Sequence, residues 1–464
     1  MLAYKMIYRK RLLSGRKCVK GMRKILAIII CRILSAAGRL FGRGSSLPGQ
    51  MALKIDPDIL SKLKLSPVVI AVSGSNGKTS TVEMINAVLC GSGIDSAYNS
   101  EGSNQIEGVT TFLIGNSDLT GRVRREAVVI EADERYARLI FRHFHPTHYV
   151  ITNLYRDQLT RNGHPENVAA AICESIYDDT TLVINADDPL VASIAREHAG
   201  RTVAFGIDRQ KDDLDKNMSV YNDGAYCPLC GGRMEYEFIH FSHVGGYSCP
   251  SCGFSRPAAL HSITDADLIH GKVVIDGSYE ITLSLKSYYN IYNVLAAFTV
   301  AELAGVSGEK ASDVLSGYML RNGRIRTFKI NGHRGTFLAS KHENSISYDQ
   351  NLRTAVAHPG DITVYILVED ISRKYYTSDT SWLWDIDFEV LEAENVKRII
   401  IGGRYADDVR MRLYYTGIDH ERIKAVSDVA ESVRVLGDEA EGHIYALTCF
   451  SDEKKILSRV EADE

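Results

Sequence analysis

The sequence predicts an α/β protein: a doubly wound, mainly parallel sheet carrying an inserted metal ribbon, followed by a second α/β domain. Three observations predict it. The stretch Val68 to Thr81, VVIAVSGSNGKTST, runs from five apolar residues through a string of turn formers into Lys78 and three hydroxyl residues. The segment after it has apolar residues at helical spacing, so the whole reads as strand, glycine loop, helix. Short apolar runs ending in polar clusters then recur, at Ala127–Ile130, Tyr149–Thr152 and Thr181–Ile184, and in the last third at Gly335–Ser340, Ile362–Leu367, Val396–Ile401 and His443–Thr448. Two CxxC pairs, Cys227/Cys230 and Cys249/Cys252, sit between the two series of strands.

The 464 residues, 45% hydrophobic and 24% charged, suit an ordinary soluble chain of roughly three domains. A net charge of −4 gives no overall reason to expect nucleic acid. Nine cysteines, four of them in the CxxC pairs, fit a reducing compartment with a metal site better than a disulfide framework.

Residues 1 to 50 are rich in Lys and Arg and hold no acidic residue. Their apolar run Ile25–Ile30 is interrupted at Arg32, too short to span a bilayer. A basic amphipathic helix is expected, resting on an anionic membrane surface or packed on the protein itself. A signal peptide cleaved near Ser35-Ala36-Ala37 is the third option.

The loop Gly74-Ser75-Asn76-Gly77-Lys78-Thr79-Ser80 has the physics of an anion site. Glycines let backbone N–H groups turn inward, a helix N-terminus adds positive potential, Lys78 reaches terminal phosphates and the Thr79 hydroxyl ligates Mg2+. It lacks the glycine five residues before Gly77 that the common nucleotide loop requires, since Val72 stands there. The compact form resembles the loop of the Mur ligase and folylpolyglutamate synthase superfamily, GTNGKTS, with Ser75 replacing threonine. That resemblance implies an ATP-dependent ligase of Mur ligase-type fold, joining a carboxylate to an amine through an acyl phosphate.

Beyond the loop, Glu131 ends a buried strand, where a carboxylate of a doubly wound sheet lies in the ligand crevice; it is the second expected Mg2+ ligand beside Thr79. Asn153-Leu-Tyr-Arg156-Asp157-Gln158-Leu159 is similar to the superfamily's N-x-x-x-D-H-L segment, with Gln158 in place of histidine. Asn185-Ala-Asp187-Asp188-Pro189 is a strand-end cluster near an expected adenine or ribose, or a helix N-cap at Asp188. The CxxC pairs, eighteen residues apart and each followed by glycine, have the spacing of a structural four-thiolate zinc ribbon, spanning about 221–258. Few basic residues flank it in MEYEFIHFSH, which argues against nucleic acid. Tyr289-Asn290-Ile-Tyr-Asn293 resembles H-N-x-x-N, with Asn290 expected to face the nucleotide, and Gly323-Arg324-Ile-Arg326 resembles G-R-x-E, with Arg324 expected at phosphate.

The C-terminal motifs narrow the resemblance to the MurT family of ligase-like subunits. Lys341-His-Glu-Asn344-Ser345-Ile-Ser-Tyr348-Asp-Gln350 is similar to that family's K-N-P-x-G-x-N-Q stretch, with Asn344 kept and the proline lost at Ser345; Asp379-Thr-Ser-Trp382-Leu-Trp384-Asp385-Ile-Asp387 to D-x-S-W-I-W-D-x-D; and Gly402-Gly-Arg404 to G-x-R. Both tryptophans are expected in the core, with Asp385 and Asp387 as solvated carboxylates. The resemblance implies amidation of the D-glutamate α-carboxylate of the lipid II stem peptide, and a heterodimer with a GatD-like glutaminase whose Cys-His pair Asp379 completes, Asp385 being the reserve. Candidate catalytic residues are thus Lys78, Glu131 and Asp379. Cys90, Cys173 and Cys449 are expected as buried small hydrophobes, Cys449 ending a strand with no histidine motif nearby in the sequence. The implied domains are 1–66, 67–328 and a Rossmann-like 329–464, with ATP, Mg2+ and Zn2+ as cofactors and a cytoplasmic location at the membrane's inner face. A ligase adding an amino acid, or a non-catalytic nucleotide-binding module, would use the same loop.

Overall fold

A computed structural model describes residues 21–39, 46–100, 103–283, 287–319, 325–371 and 378–462. The strands in chain order are β1 (Val68–Ser73), β2 (Ser96–Tyr98), β3 (Ala127–Glu131), β4 (His148–Ile151), β5 (Thr181–Asn185), β6 (Thr202–Ile207), β7 (Glu235–Phe241), β8 (Val244–Ser248), β9 (His261–Asp267), β10 (Lys272–Ile275), β11 (Tyr279–Thr282), β12 (Ile325–Ile330), β13 (His333–Ser340), β14 (Ile362–Leu367), β15 (Val396–Gly402), β16 (Ile423–Val426), β17 (His443–Cys449) and β18 (Glu461–Ala462). The chain forms two compact units: one gathers residues within 1–154, 168–211 and 255–318, the other residues within 155–167, 212–254 and 319–464.

The first unit holds a nine-stranded sheet of order β11-β10-β9-β6-β5-β4-β1-β3-β2. β2 to β6 and β9 run parallel with β1, and β10 and β11 close one edge antiparallel. Successive strands leave β1 toward β3 and β2, then return on its other side through β4, β5 and β6, so the strand order reverses between β1 and β4. That reversal opens a crevice at the strand ends, where doubly wound sheets hold ligands. The strands that flank β1 are buried along their whole apolar runs, as expected of parallel strands covered on both faces.

Residues 21–39 are helical. Ala27, Ile28 and Cys31 join the core of this unit. Met22, Ile25, Leu26, Ile29 and Ile33 are exposed and, at 3.6 residues per turn, share the opposite stripe of the helix. Among the described residues no helix is long and apolar enough to cross a membrane.

The second unit holds a seven-stranded sheet of order β16-β15-β14-β17-β13-β12-β18, parallel from β16 to β13. Its order reverses between β14 and β17. The β7-β8 hairpin, with the CxxC pairs on either side of it, belongs by its contacts to this unit. Trp382 is 2% exposed and packs at a tilt against Tyr348, as expected of a core tryptophan. Trp384 corrects the expectation: it is 46% exposed, lying edge-on to Tyr415. Asp387 corrects it as well, being buried and paired with Arg353 at 2.6 Å, because its short helical turn folds inward onto the Asp349 carboxylate, which accepts its N–H at 2.8 Å.

Candidate functional site

The loop after β1 takes its shape from two glycines in the left-handed region, Gly74 at φ 129° and Gly77 at φ 82°. A Cβ at Gly74 would meet Thr152 Oγ1 at 2.3 Å, and one at Gly77 would meet Asn293 Oδ1 at 2.1 Å. Both positions therefore need glycine for space as well as for torsion. The end of β4 locks the loop: Asn153 accepts from Ser75 N–H through its carbonyl (2.9 Å) and from Asn76 N–H through Oδ1 (2.8 Å), and its Nδ2 donates back to the Asn76 carbonyl (3.1 Å). Thr152 Oγ1 donates to the same carbonyl at 2.8 Å.

Lys78 opens the helix Lys78–Gly91 and is buried. Its Nζ donates to the Gly74 carbonyl at 2.5 Å and pairs with Glu134 Oε1 at 2.5 Å. Thr79 Oγ1 donates to Glu131 Oε2 at 2.8 Å, and Asn104 Nδ2 donates to the other carboxylate oxygen at 3.0 Å. Asn99 holds the backbone of Glu131, accepting from its N–H at 2.8 Å and donating to its carbonyl at 3.0 Å. The register Val72↔Glu131 sets this pairing, since it brings the end of β3 beside the start of the loop. A hydroxyl and a carboxylate that touch, next to an inward-turned loop and a buried ammonium, form a donor set for Mg2+ with phosphate oxygens.

Gly74, Ser75, Asn76, Gly77, Lys78, Thr79, Glu131 and Asn153 are therefore brought together, with Ser80 in the first turn of the helix. Asn290 is buried on the helix Tyr288–Leu303, one turn before Asn293, which accepts from Thr81 Oγ1 at 3.2 Å and backs Gly77. Arg324 lies outside the described residues. Asp188 is the N-cap of the helix Pro189–Ala195, accepting from Leu190 and Val191 N–H, so the capping alternative holds for it. Asp187 is buried against Arg256, Tyr292 and the Ile207 N–H. Sequence reading missed Glu134 as the Lys78 partner, and Asn99 and Asn104 as supports of Glu131; the polar loop around Asn99 was the available hint.

In the second unit, Asp379 is exposed and accepts from Ser381 N–H at 2.9 Å ahead of the turn Ser381–Asp385. Asp385 is held by Arg156 at 3.0 Å, and Arg156 grips Asp223 on its other side. Asp157 receives Lys341 Nζ at 3.1 Å and Asn344 Nδ2 at 2.7 Å. The four ribbon cysteines converge. Cys227 and Cys252 sulfurs are 3.7 Å apart, Cys230 and Cys249 sulfurs 3.6 Å, and all four lie within 4.8 Å of one another. Metal–sulfur bonds of about 2.3 Å give a tetrahedral edge of about 3.8 Å, so this set fits a zinc ion. The two turns match bond for bond: Gly231 and Gly253 N–H donate to the Cys227 and Cys249 carbonyls, each at 2.9 Å.

The expected burial of Cys90 and Cys173 is overturned. Cys90 and Cys173 are exposed, each in the last turn of its helix. Cys449 is buried as expected, yet His342 and Asp452 lie beside it.

Comparison with known proteins adds the following. Residues 342–452 match the family described as MurT ligase C-terminal, and residues 72–249 the Mur ligase middle domain. The chain is 31% identical over 395 residues, 84% of its length and 88% of the relative's, to the MurT subunit of lipid II isoglutaminyl synthase (glutamine-hydrolyzing) from Staphylococcus aureus (strain COL). It is 30% identical over 418 residues, 88% of its length and 91% of the relative's, to the same subunit of Streptococcus pneumoniae. Among solved structures, a pseudomurein peptide ligase type C from Methanothermus fervidus superposes with TM-score 0.67 at 20% identity, covering 87% of this chain and 81% of that one. MurF from Acinetobacter baumannii gives 0.61 at 17%, covering 88% and 80%. At those identities the likeness is one of fold, and the fold is the α/β Mur ligase type.

Proposed function

The chain belongs to the MurT family, and we propose that it is the ligase subunit that amidates the α-carboxylate of D-glutamate in the lipid II stem peptide, giving D-isoglutamine for peptidoglycan synthesis. The observation that carries this reading is the contact of Thr79 with Glu131 beside the buried Lys78, at the reversal point of a Mur ligase-type sheet. Thr79 and Glu131 would hold Mg2+, whose charge would offset that gathering on the terminal phosphate of ATP. Loop N–H groups and the Lys78 ammonium would stabilise the same charge as a carboxylate oxygen attacks the terminal phosphorus and ADP leaves. Ammonia would then attack the acyl phosphate carbon, lose a proton and expel phosphate.

The ammonia source we propose is a GatD-like glutaminase in a heterodimer, in keeping with the words "glutamine-hydrolyzing" and "subunit" in the relatives' names. Asp379 would orient the partner's catalytic histidine, and its exposure suits that role. Asn290 and Arg324 are proposed to face the nucleotide. Zn2+ in the four-cysteine ribbon would be structural, since four thiolates leave no open position. The functional division we propose is 1–66, 67–328 with the ribbon inserted, and 329–464. The exposed apolar stripe of the helix 21–39, flanked by Arg23, Arg32 and Arg39, would rest on the inner face of the membrane, where the lipid-linked substrate lies.

The test is nitrogen transfer. The protein with its glutaminase, ATP, Mg2+, amide-15N glutamine and lipid II is expected to place 15N on the glutamate α-carboxamide, read by mass spectrometry, and Lys78→Ala is expected to abolish it. Failure with both glutamine and ammonium chloride, with both proteins folded, would overturn the assignment.

A further inference from the structure

We propose that His342, Cys449 and Asp452 form a second metal site, a buried three-ligand site for one divalent ion of the zinc class. Three elements converge on it. β13 and β17 pair in parallel with Ser340 opposite Cys449, so His342 emerges beside the end of β17. Cys449 is the residue before the helix Phe450–Leu457, and Asp452 lies in that helix's first turn. β14 flanks β17 on the other side, and the Glu369 and Asp370 N–H groups that follow it donate to Asp452 Oδ2 at 3.1 and 3.2 Å. The site thus sits where the strand order of the second sheet reverses, the counterpart of the nucleotide loop in the first.

The geometry has room for an ion. One ligand atom from each residue lies within 4.8 Å of the others. His342 Nε2 and Asp452 Oδ2 share a long hydrogen bond of 3.4 Å, a separation equal to the edge of a tetrahedron with bonds of about 2.0–2.1 Å. His342 Nδ1 shares a 2.8 Å hydrogen bond with the buried Tyr348 hydroxyl, an outer partner that fixes the ring with Nε2 toward the cluster. Asp452 Oδ1 is buried and pairs with Lys455 Nζ at 3.0 Å.

Charge and chemistry agree with this. His342 is 3% exposed, Cys449 6% and Asp452 0%. A thiolate and a carboxylate buried together cancel a dication, so the filled site leaves no net charge in the core. One nitrogen, one sulfur and one oxygen ligand make a borderline set that suits zinc and excludes magnesium or calcium. Three protein ligands leave a fourth position for water or a small ligand.

The site is tested apart from ligase activity. In the full chain carrying Cys230→Ser and Cys252→Ser, anaerobic titration with Co2+ is expected to give one equivalent bound, with tetrahedral d–d bands and a sulfur-to-cobalt charge-transfer band. Cys449→Ser is expected to remove the charge-transfer band, and His342→Ala to weaken binding at least tenfold. No cobalt binding by the folded chain, or a spectrum unchanged by Cys449→Ser, would overturn the proposal. Should the ribbon variant fail to fold, zinc content of the wild-type chain decides: two equivalents falling to one in His342→Ala support the site, and one equivalent in both refutes it.

Discussion

The reversal points of the two sheets differ in how the sequence encodes them. In the first unit the polar groups come mostly from one continuous run, Gly74 to Ser80, with Glu131 and Asn153 arriving from the ends of neighbouring strands. In the second unit His342 and Cys449 are separated by more than a hundred residues and meet only because β13 and β17 pair. A loop that binds through its own backbone must write its geometry into local residue types, while a cluster of side chains can draw on any strands that end together. The first kind of site is visible in sequence, and the second becomes visible only with the topology.

The most forceful way to break this comparison is Lys78→Ala. Turnover is expected to fall by about 10²–10³-fold or more. The same change leaves Glu134 buried without its cation, so unfolding free energy should drop by about 3–5 kcal/mol. Adding Glu134→Gln should recover most of that stability and none of the activity; recovery of both would make Lys78 a structural residue. Next, Gly77→Ala forces a Cβ against Asn293 in a left-handed backbone and is expected to cost about 1–3 kcal/mol, read as a lower Tm with weaker ATP binding. A neutral Gly77→Ala would mean that the loop's shape is not set by its glycines. Glu131→Gln keeps the shape of the Thr79 contact but removes the charge, and should raise the Mg2+ concentration needed for half-maximal activity by about tenfold or more.

A pH-dependent effect belongs to the second unit. Burial pushes the Asp349 carboxyl up to about 8, against the opposing hydrogen bond from Asp387 N–H. Because that value lies above the unfolded one, the folded chain holds the extra proton. Its contribution to stability is full below about pH 4 and is lost as pH rises through 8, at up to about 1.4 kcal/mol per pH unit. Asp349→Asn should flatten the dependence of Tm on pH over that window, and an unchanged slope would assign it to another group.

How much was legible follows the same division. The strand-loop-helix at Val68–Thr81, the Thr79–Glu131 pairing and the four-cysteine cluster could be read because each rests on local pattern or fixed spacing. Glu134 was missed because its pairing with Lys78 depends on how the chain turns after β3. Trp384 was misplaced because an aromatic beside Trp382 looks like core, whereas a short helical turn sends neighbouring residues to opposite sides. Cys449 has no histidine motif near it in sequence because the histidine beside it lies just after another strand, β13.

The central claim is that the loop and its partners drive carboxyl activation by ATP. Lipid II carrying 18O in the α-carboxylate of its D-glutamate, incubated with the protein, its glutaminase, glutamine, ATP and Mg2+, tests it most directly. The account predicts one 18O in the released phosphate for each amide formed. Amide formed with unlabelled phosphate would contradict it.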